Sequence, residues 1–179
     1  MLANYITYSR VLLILPVIYL TGQEKTEYNV IALLIFILAS LTDYLDGYIA
    51  RKTNTQSPMG GLLDLLADKL LICVTLVWLI HLNNSLLFLI PVILILSREI
   101  IITSVRQFLV KENGQNKLKV SFFGKGKTVF QLVAISFIII SPNFGPIFYI
   151  LSLVLLWFSA LITFFSLYLY LRSWKTFFI

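Results

Sequence analysis

Four carboxylates, Asp43, Asp46, Asp64 and Asp68, fall within 26 consecutive residues of a window that is otherwise largely apolar. They are half of the eight acidic residues in the chain. Asp43 and Asp46 are three apart, and Asp64 and Asp68 four apart, so on helices each pair shares a face. An ionised Asp at the centre of a membrane helix costs ~2.5–3.5 kcal/mol on the insertion scale, so four uncompensated ones would cost roughly 10 or more. Converging carboxylates repel one another unless cations sit between them. Oxygen ligands with no His or Cys nearby suit hard ions, here two divalent cations, Mg²⁺ or Mn²⁺. Such a pair is suited to in-line displacement at phosphorus. The competing explanation is simple pairing of these acids with Arg51, Lys52 and Lys69 at a membrane interface. It would suffice for one or two acids and is outweighed for four on two faces.

The elements that position these acids are apolar. Of 179 residues, 59% are hydrophobic and 12% charged, with a mean hydropathy of +0.93. A soluble domain carries about twice that charged fraction, and a small globule cannot bury so much apolar surface. A soluble enzyme, a disordered chain and a disulfide scaffold are excluded. Six apolar stretches, at 6–21, 29–50, 62–81, 85–110, 126–141 and 146–171, each approach the ~20 residues of a membrane-spanning helix. The expected fold is all-α: a single domain over residues 1–179, polytopic, with six transmembrane helices.

Fourteen Lys and Arg against eight acids give a net charge of +6. That surplus could serve nucleic acid, an anionic membrane surface or a phosphorylated substrate; membrane lipids and a phosphorylated substrate are expected, and no nucleic acid. Arg51 and Lys52, then Lys111, Lys117, Lys119, Lys125 and Lys127, then Arg172 and Lys175 all fall on one side if both termini are cytoplasmic. The other side holds only Lys25, beside Glu24 and Glu27. This is a positive-inside pattern. It implies a multi-pass protein of the cytoplasmic (inner) membrane with its acidic site facing the cytoplasm. Tyr168, Tyr170 and Trp174 suit an interfacial aromatic belt. Cys73 reads as a small buried hydrophobe, and His81 as an interfacial polar residue remote from the acids.

Residues 51–61 read as a turn-rich connection that sets the second and third helices antiparallel, with Gly60 and Gly61 admitting a tight turn and Asp64 matched to the helix N-terminus. Gly47 is disfavoured in a helix by ~1 kcal/mol, which points to close approach of a ligand or neighbouring helix. Ala50 keeps the same face small, and Arg51 offers a phosphate-binding fork. Arg98 and Arg106 are eight apart, about two helical turns, and project from roughly one face. With Lys125 and Lys127 they would bind a phosphate on a substrate. Glu99 is expected to restrain a nearby basic group.

Written out, the window is Asp43-x2-Asp46-Gly47-x2-Ala50-Arg51-x8-Gly60-x3-Asp64-x3-Asp68. It resembles, at all eight defined positions, the signature of the CDP-alcohol phosphotransferase family. The resemblance implies a six-helix membrane domain, commonly a homodimer, with a dinuclear metal site facing the cytoplasm. It also implies transfer of a phosphatidyl or related group from a CDP-linked donor to an alcohol, with release of CMP. Asp43, Asp46 and Asp64 then correspond to metal ligands, with Asp43 and Asp64 as bridges between the ions. Asp68 corresponds to a ligand of the second ion and to the general base on the acceptor hydroxyl. Gly47, Ala50, Arg51, Ser57 and Gly60 correspond to the surroundings of CDP-diacylglycerol.

Three further pieces resemble the branch of that family whose acceptor is sn-glycerol 3-phosphate. They are Asn4-Tyr5-Ile6-Thr7-x2-Arg10, then Ser97-Arg98-Glu99 with Arg106, then Gly124-Lys125-Gly126-Lys127-Thr128 with Gln131. Ala3 departs from the Pro common there. Phosphatidylglycerol as acceptor, giving cardiolipin, is the alternative within the same chemistry. A divalent-cation channel or transporter is the alternative from another class.

Overall fold

The computed structural model describes residues 2–23, 25–52, 58–113 and 122–178; the side chains of 2–8, 43–52, 58–59, 64, 106, 109–113, 122–127 and 173–178 lie outside that description. The described residues form six α-helices: α1 (Leu2–Thr21), α2 (Thr26–Lys52), α3 (Pro58–Asn83), α4 (Leu86–Asn113), α5 (Phe122–Ile140) and α6 (Pro146–Phe178). No strand occurs among them. One 3-10 turn, Ser141–Asn143, leads from α5 into α6. Among the described residues three helical segments, Gly60–Asn83, Leu86–Val105 and Pro146–Arg172, are long and apolar enough to cross a membrane. Shorter apolar segments occupy Ser9–Thr21, Thr26–Thr42 and Thr128–Asn143.

Local chemistry accounts for the helix ends. Thr21 donates its hydroxyl back to the Val17 carbonyl at 2.7 Å, and the Gly22 amide reaches the Ile18 carbonyl at 3.2 Å. Asn84 closes α3 in the left-handed region, at φ 40°, with its amide on the Ile80 carbonyl. Asn tolerates that conformation better than most residues. Gly145 has φ 83°, a value suited to glycine, and Pro146 then opens α6, where the absent N–H costs nothing.

The helices are longer than their apolar runs. α1 begins at Leu2 and α5 at Phe122, each about one turn earlier than hydropathy indicates, and α6 continues to Phe178. Hydropathy marks where a helix is oily and not where its hydrogen bonding stops. The largest correction concerns the link between α2 and α3. Residues 51–52 and 58–61 of the expected connection are helical, since α2 runs to Lys52 and α3 starts at Pro58. Gly60 and Gly61 therefore lie in the first turn of α3 and not in a turn before it. A Cβ on Gly61 would meet nothing within 4 Å, so crowding does not require glycine there. No acidic residue falls in that first turn, so Asp64 gains little from the helix dipole, which acts mainly within one turn.

α1 packs on α2 and α3, α6 packs on α4 and α5, and the two groups meet through α2 with α5 and α3 with α4. Val17, Phe36, Leu76, Phe88, Val92, Ile135 and Leu156 fill the apolar core. The polarity of the bundle is partly inverted. Its outward positions include Ile147 at 83% exposure and Leu86 at 72%. Its interior holds Arg10, Asn29, Arg98, Gln131, Ser152, Ser159, Thr163 and Ser166. Outward apolar side chains suit a bilayer, where helix association rests on packing and on interior polar contacts.

Candidate active site

Asp43, Asp46, Gly47, Ala50 and Arg51 all lie in the last three turns of α2, and Gly60, Asp64 and Asp68 in the first three turns of α3. The spacings that suggested shared faces are therefore helical in fact: i,i+3 on α2 and i,i+4 on α3. α2 and α3 are in contact. Asp68 is half-buried. The side chains of Asp43, Asp46, Ala50, Arg51 and Asp64, and the whole of Ser57, lie outside the described residues. Among the described residues, no group of three His, Cys, Asp or Glu comes together. The backbone placement still fits a hard divalent ion, because all four acids carry oxygen donors on two touching helices. Asp43, Asp46, Asp64 and Asp68 would hold such an ion.

Arg98 is the best-defined member of the basic set. It sits in α4 with 4% exposure. Its Nη1 donates to Glu99 Oε1 at 3.0 Å, and its Nη2 donates to Ser166 Oγ of α6 at 3.2 Å. Glu99 does restrain a basic group, as expected, and reaches a second one: its Oε2 lies 3.9 Å from Lys69 Nζ. Lys69 also donates to the Glu99 carbonyl at 3.5 Å and to Thr103 Oγ1. Its described contacts are thus on α4. Arg106 lies two turns beyond Arg98 on the same helix, and Lys125 and Lys127 lie in the first two turns of α5. The side chains of these three are outside the described residues. Lys125 falls inside α5, whereas the hydropathy pattern put the start of that helix at 126.

Gln131, from the third of the family-like pieces, is buried and donates to Thr163 Oγ1 of α6 at 3.3 Å. Arg10, from the first, is fully buried in α1. Both positions suit a bundle interior that tolerates polar groups for a purpose.

The profile of the CDP-alcohol phosphatidyltransferase family matches residues 1–165. The chain belongs to this family. Relatives extend the match to its full length. A protein of Rickettsia typhi named CDP-diacylglycerol–glycerol-3-phosphate 3-phosphatidyltransferase is 37% identical over 99% of this chain and 98% of its own. Proteins of the same name from Wigglesworthia glossinidia brevipalpis and Haemophilus influenzae are 35% and 34% identical, over 90% and 81% of this chain and 87% and 77% of their own.

For a member of this family, the contacts around Arg98 add residues that spacing alone does not single out. Thr103 and Ser166 are ordinary small polar residues in apolar runs, and only packing of α4 against α3 and α6 brings them to the charged group. The available signal was weak: Ser159, Thr163 and Ser166 recur at intervals of four and three, which places them on one helical face. Away from the acids, His81 at the end of α3 rests against Trp78 with ring centroids 5.3 Å apart. Cys73 is only partly buried, less deeply placed than expected.

Proposed function

We propose that this protein transfers a phosphatidyl group from CDP-diacylglycerol to sn-glycerol 3-phosphate, giving phosphatidylglycerol phosphate and CMP. The observation that carries this is full-length similarity to relatives bearing that activity in their names, with all eight signature positions present. Residues 1–179 act as one domain, for which the reach of the family profile is the support. Six spans with both termini in the cytoplasm fit six apolar helical segments and the one-sided distribution of Lys and Arg. The protein then resides in the inner membrane with its acidic site toward the cytoplasm. It acts as a homodimer, on the strength of the family resemblance.

Asp43, Asp46, Asp64 and Asp68 hold two divalent cations, Mg²⁺ or Mn²⁺. When bound, the cations supply charge neutralisation at the diphosphate and at the departing CMP. Gly47, Ala50, Arg51, Ser57 and Gly60 surround the donor, with Arg51 receiving diphosphate oxygens through its planar fork. Arg98, Arg106, Lys125 and Lys127 receive the acceptor phosphate, and a buried guanidinium such as Arg98 recognises phosphate strongly. Asp68 takes the proton from the 1-hydroxyl of glycerol phosphate as its oxygen attacks the diacylglycerol-side phosphorus. The P–O bond to CMP breaks as the new one forms.

The purified protein, given CDP-diacylglycerol and Mg²⁺, should release CMP with sn-glycerol 3-phosphate far faster than with phosphatidylglycerol, serine or inositol. Preference for phosphatidylglycerol would make it a cardiolipin-forming enzyme. Cation flux in liposomes without CMP release would make it a transporter. Orientation is read separately, by labelling cysteines introduced as Ser85→Cys and Ser173→Cys in a Cys73→Ala background. Impermeant reagent added outside spheroplasts should reach position 85 and not 173.

A further inference from the structure

The Lys69 ammonium has three N–H donors and meets three oxygens of one turn of α4: Glu99 Oε2 at 3.9 Å, the Glu99 carbonyl at 3.5 Å, and Thr103 Oγ1. Thr103 in turn donates to the Glu99 carbonyl at 2.6 Å, which fixes that turn. Lys69 follows Asp68, and Glu99 follows Arg98. The contact therefore joins the turn that carries the proposed base to the turn that carries the proposed phosphate-binding arginine. The Glu99 carboxylate stands between two cations from different helices, with Arg98 on Oε1 and Lys69 on Oε2. All three are sheltered: the side chains of Arg98, Glu99 and Lys69 are 5%, 14% and 26% exposed. Screening by water is weak there, so sharing of the carboxylate matters.

We infer that Lys69 and Glu99 are positioning residues for acceptor binding. Lys69 draws on the Glu99 carboxylate, so that Glu99 orients Arg98 without cancelling its attraction for a phosphate. The inference rests on the reading that Arg98 receives the acceptor phosphate. A ligand carrying a phosphate monoester dianion gains from this arrangement. The CDP-linked donor, held at the other residues of the site, does not.

The test measures KM for sn-glycerol 3-phosphate and for CDP-diacylglycerol by CMP release from full-length protein in detergent. In Lys69→Met the stem remains and the charge goes, so Glu99 loses the cation on Oε2 and keeps Arg98 on Oε1. KM for glycerol 3-phosphate should rise about tenfold, with KM for CDP-diacylglycerol within about twofold of the parent. Adding Glu99→Gln to Lys69→Met should bring the acceptor KM at least partway back, because the cancelling carboxylate is then gone. Thr103→Val should raise the acceptor KM in the same direction by a smaller factor, and Lys69→Arg should stay close to the parent. Should Lys69→Met fail to give monodisperse protein, the last two variants decide the matter, and an unmoved acceptor KM in Thr103→Val sinks the idea. An equal rise in both KM values, or no recovery in the double variant, also overturns it in favour of a merely structural bridge. Arg98→Lys separates the two levels. An unchanged acceptor KM there removes the reading of Arg98 and this inference with it. A raised one, beside an unaffected Lys69→Met, removes the bridge alone.

Discussion

The side-chain amide of Gln131 donates to Thr163 Oγ1 at 3.3 Å, joining α5 to α6 at a point where both residues are buried. Both helices are apolar over most of their length, and this contact between them is directional. It sits one turn of α6 before Ser166, the residue that receives Arg98. One short stretch of α6 therefore accepts a hydrogen bond from α5 and another from Arg98 of α4.

Thr163→Val removes the acceptor and leaves a buried amide without it. The loss should be about 1 kcal/mol, in line with interhelical hydrogen bonds in membrane proteins. Thermal unfolding in detergent reads it directly. The double variant with Gln131→Leu should be more stable than Thr163→Val alone, because a matched apolar pair leaves no unmet polar group.

Ser166→Ala should act on substrate binding more than on the fold. Losing a neutral partner loosens the Arg98 guanidinium by about 1 kcal/mol, equivalent to an acceptor KM raised roughly fivefold. KM for CDP-diacylglycerol serves as the internal control and should stay put.

Chelation should silence the enzyme. With EDTA, CMP release should fall below detection and return on adding Mg²⁺ or Mn²⁺. Asp43→Asn, Asp46→Asn and Asp64→Asn should each lose more than about 100-fold in rate, as expected when a ligand of a catalytic ion is removed. Asp68→Asn should abolish turnover while leaving CDP-diacylglycerol binding largely intact. Activity near that of the parent would refute its assignment as the base.

At the other end of the bundle, Gly22→Ala should destabilise. A Cβ there would approach Trp78 Cζ2 to 3.1 Å. The indole cannot yield easily, because its Nε1 donates to Thr21 Oγ1 at 2.9 Å and its ring rests on His81. A cost of about 1 kcal/mol is expected for this overpacking. Restoration in Gly22→Ala/Trp78→Phe would tie the cost to that contact.

Much of this architecture was legible from residue types. Six apolar runs became six helices because hydropathy and helical hydrogen bonding favour the same segments in a bilayer. The acidic spacings were legible because periodicity alone decides which residues share a face. Helix ends were not, since residues such as Lys125 and Gly60 continue a helix without extending an apolar run. Nor were the partners of Lys69. From sequence it could face the acids two helices share or the neighbouring α4, and only the packing of α3 on α4 chooses. Thr103 and Ser166 were equally silent, because a hydroxyl in an oily helix can satisfy itself on its own backbone.

The inverted polarity of the bundle has a consequence for how the protein tolerates change. Positions such as Leu86 and Ile147 face outward, and a neighbour of lipid tails asks only that a side chain be oily. A gene library that shuffles Leu, Ile, Val and Phe among such positions should yield mostly working enzyme. The same freedom at Gln131, Thr163 and Ser166 would not. Most of the letters in this chain specify a solvent, and a few inward hydroxyls, amides and charges specify the machine.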